Sequence, residues 1–351
     1  MDPHSDRFAS PAPSREAGPP GPGHGSPPQG TAGPQVGPPA PSTRRRGPRP
    51  VPPGVEYHRV LAGEKRRIGR GVLAIVLLFG GLFLFGGVLS AAAEVVDGLL
   101  GRPVPAQGRV EYTPALHVAA MLSIALLIPW SMLIQRWLYG VRGASLHSVV
   151  SSFRFDVFGR ALVFIGPLWL VTTVLLTMLT PREQTSWSHG DLFALFAFTI
   201  LLTPLQSAGE EYGLRGLVFR VAGSWGRGRR TGLFLGVLVS SLAFTVIHLS
   251  TDPWFNLLYF TLAVSLALVT WLTGGIEIAV VVHALNNIFL FLLDTVLRHD
   301  LGAVFEREAG QGSPAVLVPC VSVLVLLAVV WWRTRRTGPA LTPAGARPTG
   351  A

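Results

Sequence analysis

The stretch Leu192–Phe219, LFALFAFTILLTPLQSAGEEYGLRGLVF, decides how the rest of the chain is read. Its apolar part is long enough to cross a bilayer, for which ~20 residues suffice, yet Glu210 and Glu211 sit side by side within it. An ionised carboxylate near the bilayer centre costs a few kcal/mol even on lenient insertion scales, and two adjacent ones cost more. Such groups persist where they face a protein-lined cavity and find partners there. The pair therefore reads as a functional site inside a membrane domain.

Composition agrees with a polytopic membrane protein. Of the 351 residues 49% are hydrophobic and only 14% charged, with a mean hydropathy of +0.45, whereas soluble domains carry about 25% charge. A net charge of +10 would suit nucleic acid. However, the basic residues cluster at Arg44 to Arg46, Lys65 to Arg70, Arg227 to Arg230 and Arg333 to Arg336, always beside apolar runs. That is the positive-inside pattern of cytoplasmic loops, and it removes nucleic acid as a partner. Cys320 is the only cysteine, so neither an internal disulfide nor a cysteine zinc cage can form.

Residues 1–57 hold 16 of the 29 prolines and cannot bury enough apolar area to offset their ordering entropy. They read as a disordered cytoplasmic tail, with PxxP-like stretches that an SH3-type partner could bind and no secretory signal before the first apolar run near Val72. The membrane domain is expected over 58–337, with a second disordered tail over 338–351. Within it the apolar runs fall at about 71–93, 114–135, 157–179, 191–220, 231–250, 255–273, 276–297 and 314–332. The fold expected is thus all-α: a bundle of about eight transmembrane helices, multi-pass in the cell membrane with both termini cytoplasmic. Six or seven spans stay open, because only Thr273 to Gly275 separate two of the runs. Leu146 to Phe155, mixing Phe, Val, Ser and Arg, reads as a short interfacial helix. Trp331 and Trp332 beside Arg333 read as an interfacial anchor.

Three segments place polar groups at helical spacing. In Glu210-Glu211-Tyr212-Gly213-Leu214-Arg215, Glu211 and Arg215 are i and i+4 and can pair along one face. Glu210 points ~100° away and is left for a cavity. Gly209 and Gly213 form a small-xxx-small pair that lets a neighbouring helix come close. In Phe244-Thr245-Val246-Ile247-His248 the ring and the imidazole share a face. In His283-Ala284-Leu285-Asn286-Asn287, His283 and Asn287 share a face while Asn286 turns toward a neighbouring helix. Counted at ~1.5 Å per residue from the basic ends, His248 lies deeper than His283. The groups meet only if the run 231–250 starts below the others or tilts strongly.

This order of motifs resembles the CPBP family, the intramembrane proteases that include type II CAAX prenyl endopeptidases and bacteriocin-processing or immunity proteins. The family pattern of Glu-Glu-x-x-x-Arg, Phe-x-x-x-His and His-x-x-x-Asn is matched here by Glu210-Glu211…Arg215, Phe244…His248 and His283…Asn287, within a core of roughly 190–297. The resemblance implies an intramembrane endopeptidase acting on a membrane-anchored protein or peptide at the lipid bilayer. Catalysis is assigned to Glu210, His248, His283 and Asn287, with Glu211, Arg215 and Phe244 in support. No serine or cysteine stands in a recognisable nucleophile motif, so an activated water is expected rather than an acyl-enzyme. In the metal-free version Glu210 and His248 activate the water, while His283 and Asn287 donate to the oxyanion. In the other version Glu210, His248 and His283 bind a divalent metal such as zinc. Two rivals fit intramembrane Glu and His equally in principle: a proton-coupled transporter, and a non-catalytic scaffold that keeps the protease fold. No internal repeat of the kind many transporters carry is visible.

Overall fold

The computed structural model describes residues 47–102, 112–302 and 307–344. It is 73% helical, and among the described residues no strand forms, only isolated bridges. Among the described residues eight helical stretches are long and apolar enough to cross a membrane, so the chain is a multi-pass membrane protein. They are α1 (Ile68–Leu99), α2 (Pro114–Ala125) continued by α3 (Leu127–Tyr139), α4 (Phe155–Leu179), α5 (His189–Glu211) continued through a π-helical turn (Tyr212–Val218) into α6 (Phe219–Gly223), α7 (Arg229–Ile247), α8 (Pro253–Thr273), α9 (Glu277–Val296) and α10 (Leu317–Thr334). Phe83, Phe164, Phe193 and Val246 are all more than 60% exposed, which is how a surface solvated by lipid tails should look. The helices satisfy their own backbone, as a bilayer demands.

Local chemistry sets the boundaries. Asp252 accepts hydrogen bonds from Trp254 N and Phe255 N, with Pro253 at the first helical position, so α8 starts there. It stops at Gly274, whose φ of +69° suits a residue without a Cβ. That stop settles the short spacer between 255–273 and 276–297 as a true break between two helices. The break between α2 and α3 sits four residues before Pro129, which lacks the N–H that Ala125 O would otherwise accept from.

Leu146 to Phe155 is not an interfacial helix. A 3₁₀ turn at Gly143–Leu146 leads into irregular chain with Ser145, Leu146, Ser148 and Val149 buried. This segment plugs the α8–α9 turn: Ser148 bridges to Gly275, and Val149 N donates to Gly274 O. Arg154 grips Glu277 bidentately, Nε to Oε1 at 2.8 Å and Nη2 to Oε2 at 2.7 Å, and also donates to Thr273 O at 3.0 Å. The cation thus serves the carbonyl end of α8, and the carboxylate serves the amide end of α9. Because Glu277 is fully buried, α9 starts inside the protein rather than at its surface. His283 and His248 meet on the Phe244 ring, at 5.7 and 4.6 Å between centroids, so the expected difference in depth does not keep them apart.

The tail boundaries also move. Residues 1–46 and 345–351 lie outside the described residues, but Glu56, Tyr57 and Thr342, within the expected tails, are buried. Val55 N donates to Thr342 Oγ1, and Thr342 N donates to Val55 O. Tyr57 is fully buried, donates to Leu146 O and lies under the Arg220 guanidinium at 3.8 Å. Arg220 itself donates to Ser145 O at 2.6 Å and Ser145 Oγ at 3.0 Å. The proline content that argues for disorder says nothing about Tyr57 and His58, which supply the anchoring area.

Burial pushes the His58 imidazole down to about 4, against the opposing pull of Glu56. A folded-state value below 6.5 means that folding favours neutral His58. Its contribution is whole above pH 6.5 and drains away as the pH falls toward 4, by at most about 1.4 kcal/mol per pH unit. The melting temperature of the wild-type protein in detergent should fall across that window, and His58→Gln should flatten this part of the curve. The helix crossing is equally testable. A Cβ added at Gly209 would sit 2.0 Å from the Ile124 carbonyl oxygen of α2, whereas one at Gly213 meets only the Leu78 side chain at 3.3 Å. Gly209→Ala should cost about 1–3 kcal/mol of stability and Gly213→Ala clearly less, read as melting temperatures of the purified variants.

Candidate active site

Four elements converge on the acidic pair: the end of α5 with its π-helical turn, the end of α7, the first half of α9, and the α2–α3 break. The π-helical turn begins directly after Glu211. Such turns are uncommon and gather at functional sites. Tyr212, its first residue, hydrogen-bonds His147 of the buried plug, so the turn is held from the arginine-rich end.

Glu211 is fully buried, and its Oε1 meets two cationic or donor groups. Arg215 Nη1 approaches to 3.2 Å as expected from the i, i+4 spacing, and His283 Nδ1 to 2.8 Å across from α9. The Arg215 guanidinium also lies 4.3 Å above the Phe244 ring, and that ring packs against His283 and His248 at 5.7 and 4.6 Å between centroids. Phe244 is thus the aromatic floor on which the cation and both imidazoles rest. His248 is the C-cap of α7. Its Nδ1 lies 2.7 Å from Phe244 O, so Nδ1–H is the donor and Nε2 is left as an acceptor, and its ring stacks on Tyr259 at 4.0 Å.

Glu210 points elsewhere, as its spacing requires. It accepts from Gln206 Nε2 at 2.6 Å through Oε1, while Oε2 has no hydrogen-bond partner among the described residues and stands 3.9 Å from His283 Nε2. Glu210 and His248 line one cavity of about 200 Å³, with apolar side chains of α1, of α2–α3, of the π-helical turn and of α7 and with Arg307. Arg307 comes from the α9–α10 connection and donates to His248 O at 2.8 Å. Its loop is stapled to the α7–α8 turn, because Asp252 Oδ2 accepts from Gly310 N and Gly312 N.

Glu210, His248 and His283 therefore share a neighbourhood, while Asn287 joins them differently from its expected role. Its Nδ2 donates to Gln206 Oε1 at 3.0 Å and faces Ser207 Oγ at 3.5 Å. With its amino group spent on α5, it is not free to donate to an oxyanion. Asn286 turns to a neighbouring helix as expected, accepting from Trp169 Nε1 at 3.4 Å. Gln206 is the functional residue that sequence reading missed. The signal was its i, i+4 spacing from Glu210, overlooked because an amide there looks like ordinary helix filling. Nothing local marks Arg307, which reaches the cavity from 59 residues beyond His248. As for zinc, Glu210, His248 and His283 carry suitable donor atoms, yet among the described residues no three His, Cys, Asp or Glu side chains converge as a metal site needs.

Residues 190–289 match the family model described as Type II CAAX prenyl endopeptidase Rce1-like. Over these residues the chain is similar to that family. All three motifs fall inside the match, together with Gln206. A Bacillus subtilis (strain 168) protein described as uncharacterized protein YyaK is 33% identical over 116 residues, which are 31% of this chain and 38% of that relative. The chain thus spans well under half of the relative's length. No solved structure matches. Arg307 and the plug at 143–154 lie outside the matched residues.

The buried ion pair yields a stability test. Removing one partner of such a pair costs about 3–5 kcal/mol, whereas removing both costs much less. Arg215→Leu should therefore strongly lower the melting temperature, and the double variant Glu211→Gln/Arg215→Leu should recover part of the loss. A double variant no more stable than Arg215→Leu would contradict the pairing.

Proposed function

We propose that this chain is an intramembrane endopeptidase that hydrolyses peptide bonds of membrane-associated proteins or peptides with a glutamate-activated water. The observation that carries the reading is Glu210: it lines the cavity beside His248, with one carboxylate oxygen tied and the other unpartnered. In this scheme a water sits between Glu210 Oε2 and His248 Nε2. Glu210 takes its proton as the hydroxide adds to the scissile carbonyl carbon, and later returns that proton to the leaving amine nitrogen. His248 accepts a hydrogen bond from the same water and orients it. His283, with Nδ1 held by Glu211, turns Nε2 toward the oxyanion, where a donor contributes a few kcal/mol in comparable sites. Asn287 acts through Gln206 instead of on the oxyanion.

The substrate reaches the cavity past the apolar side chains of α1 and α2–α3, which suits a peptide already held in the membrane. A leader peptide or membrane-tethered regulator fits this description. The arginine-rich ends of the helices face the cytoplasm, and both flanking segments lie there.

Glu210→Gln keeps the shape but not the base. Neo-N-termini that appear in cells expressing the wild type should fall by at least about 100-fold with this variant, while insertion and melting temperature stay near wild type. Equal neo-N-termini in both cell lines would end the protease reading. Treating membranes that hold the wild-type protein with 1,10-phenanthroline should leave their formation unchanged, and its loss, restored by added zinc, would reverse the metal-free choice.

A further inference from the structure

Four hydrogen bonds run head to tail across three helices and end on Glu210. Trp169 Nε1 of α4 donates to Asn286 Oδ1 at 3.4 Å, and Asn286 Nδ2 donates to Asn287 Oδ1 at 3.0 Å on α9. Asn287 Nδ2 donates to Gln206 Oε1 at 3.0 Å, and Gln206 Nε2 donates to Glu210 Oε1 at 2.6 Å on α5. Ser207 Oγ donates to Gln206 Oε1 as well, at 3.1 Å.

The direction of this chain is not arbitrary. An indole N–H can only donate and an ionised carboxylate can only accept. With those two ends given, each amide between them has one orientation that satisfies its neighbours. Turning Gln206 over would set its carbonyl against the Glu210 carboxylate and its amino group against that of Asn287. Glu210 Oε1 is thereby committed as an acceptor, so the proton exchanged during hydrolysis must come and go at Oε2, the oxygen nearest His283 Nε2.

We infer that Gln206 is the positioning residue of this site: the last link of a one-way amide chain that fixes the Glu210 carboxylate and reserves its Oε2 for proton exchange. The inference rests on the protease reading above. It gives Asn287 a role through Gln206, and it makes Trp169 and Asn286 remote members of the same device. A plain packing role for these amides would predict something different, namely less folded protein with normal turnover per folded molecule.

The test compares full-length variants in cells by the rate at which Glu210-dependent neo-N-termini appear, normalised to folded, membrane-inserted protein. Gln206→Met, similar in size but without a donor, should be about 10- to 100-fold slower, the loss expected for a hydrogen bond to a charged group. Asn287→Leu should be slowed to a similar extent. If the two act through one chain, the double variant should be no more than about twofold slower than the worse single one, whereas independent roles multiply. Wild-type rates for Gln206→Met, or multiplied losses in the double variant, would overturn the chain while Glu210→Gln stays inactive and the protease reading stands. Activity retained by Glu210→Gln would take down both. If Gln206→Met does not insert, Asn286→Ala breaks the chain upstream and should slow the rate severalfold; no slowing there overturns the proposal.

Discussion

Two adjacent carboxylates must be kept inside a membrane bundle, and the structure answers with two different solutions. Glu211 is neutralised in place: Arg215 from its own helix and His283 from α9 meet the same oxygen, Oε1. Glu210 is held by an uncharged amide and faces a cavity. The second arrangement depends on the first. Without the Glu211 partners, two like charges on one turn would compete for whatever cation lay near, and neither could be spared for a reaction. The division of labour also explains why the motif needs two glutamates when the proposed chemistry uses one.

Phe244 has a comparable hidden role. As a residue beside a histidine it reads as packing, yet its ring carries the Arg215 guanidinium on one side and contacts both imidazoles. The aromatic ring supplies a surface that attracts a cation without adding a charge. A second carboxylate there would have done the former at the expense of the latter.

Much of this was legible in the order of residues. Hydropathy marked the eight spans, and i, i+4 spacing paired Glu211 with Arg215 and Phe244 with His248, because those relations are local. The readings that moved depend on contacts far apart in the chain. Leu146 to Phe155 has helix-compatible residues, but Ser148 and Arg154 are claimed by the α8–α9 turn more than 100 residues later. The proline-rich tail was drawn too long because Tyr57 finds Arg220 only in three dimensions. Asn287 was expected to donate to an oxyanion, and its bond to Gln206 was out of reach for the same reason: spacing shows which face it occupies, not what lies opposite. The expected depth mismatch does not separate His248 from His283, because both rings rest on Phe244, and rise per residue from assumed helix ends cannot show that contact.

The two hydrogen bonds between Val55 and Thr342, one to the Thr342 hydroxyl and one between main chains, have a consequence for topology. A chain whose flanking segments clasp each other outside the lipid must cross it an even number of times, because an odd count would leave the clasp partners in different compartments. Parity is thus enforced by two short hydrogen bonds of about 3 Å. A single transmembrane stretch could not be gained or lost without opening that ring.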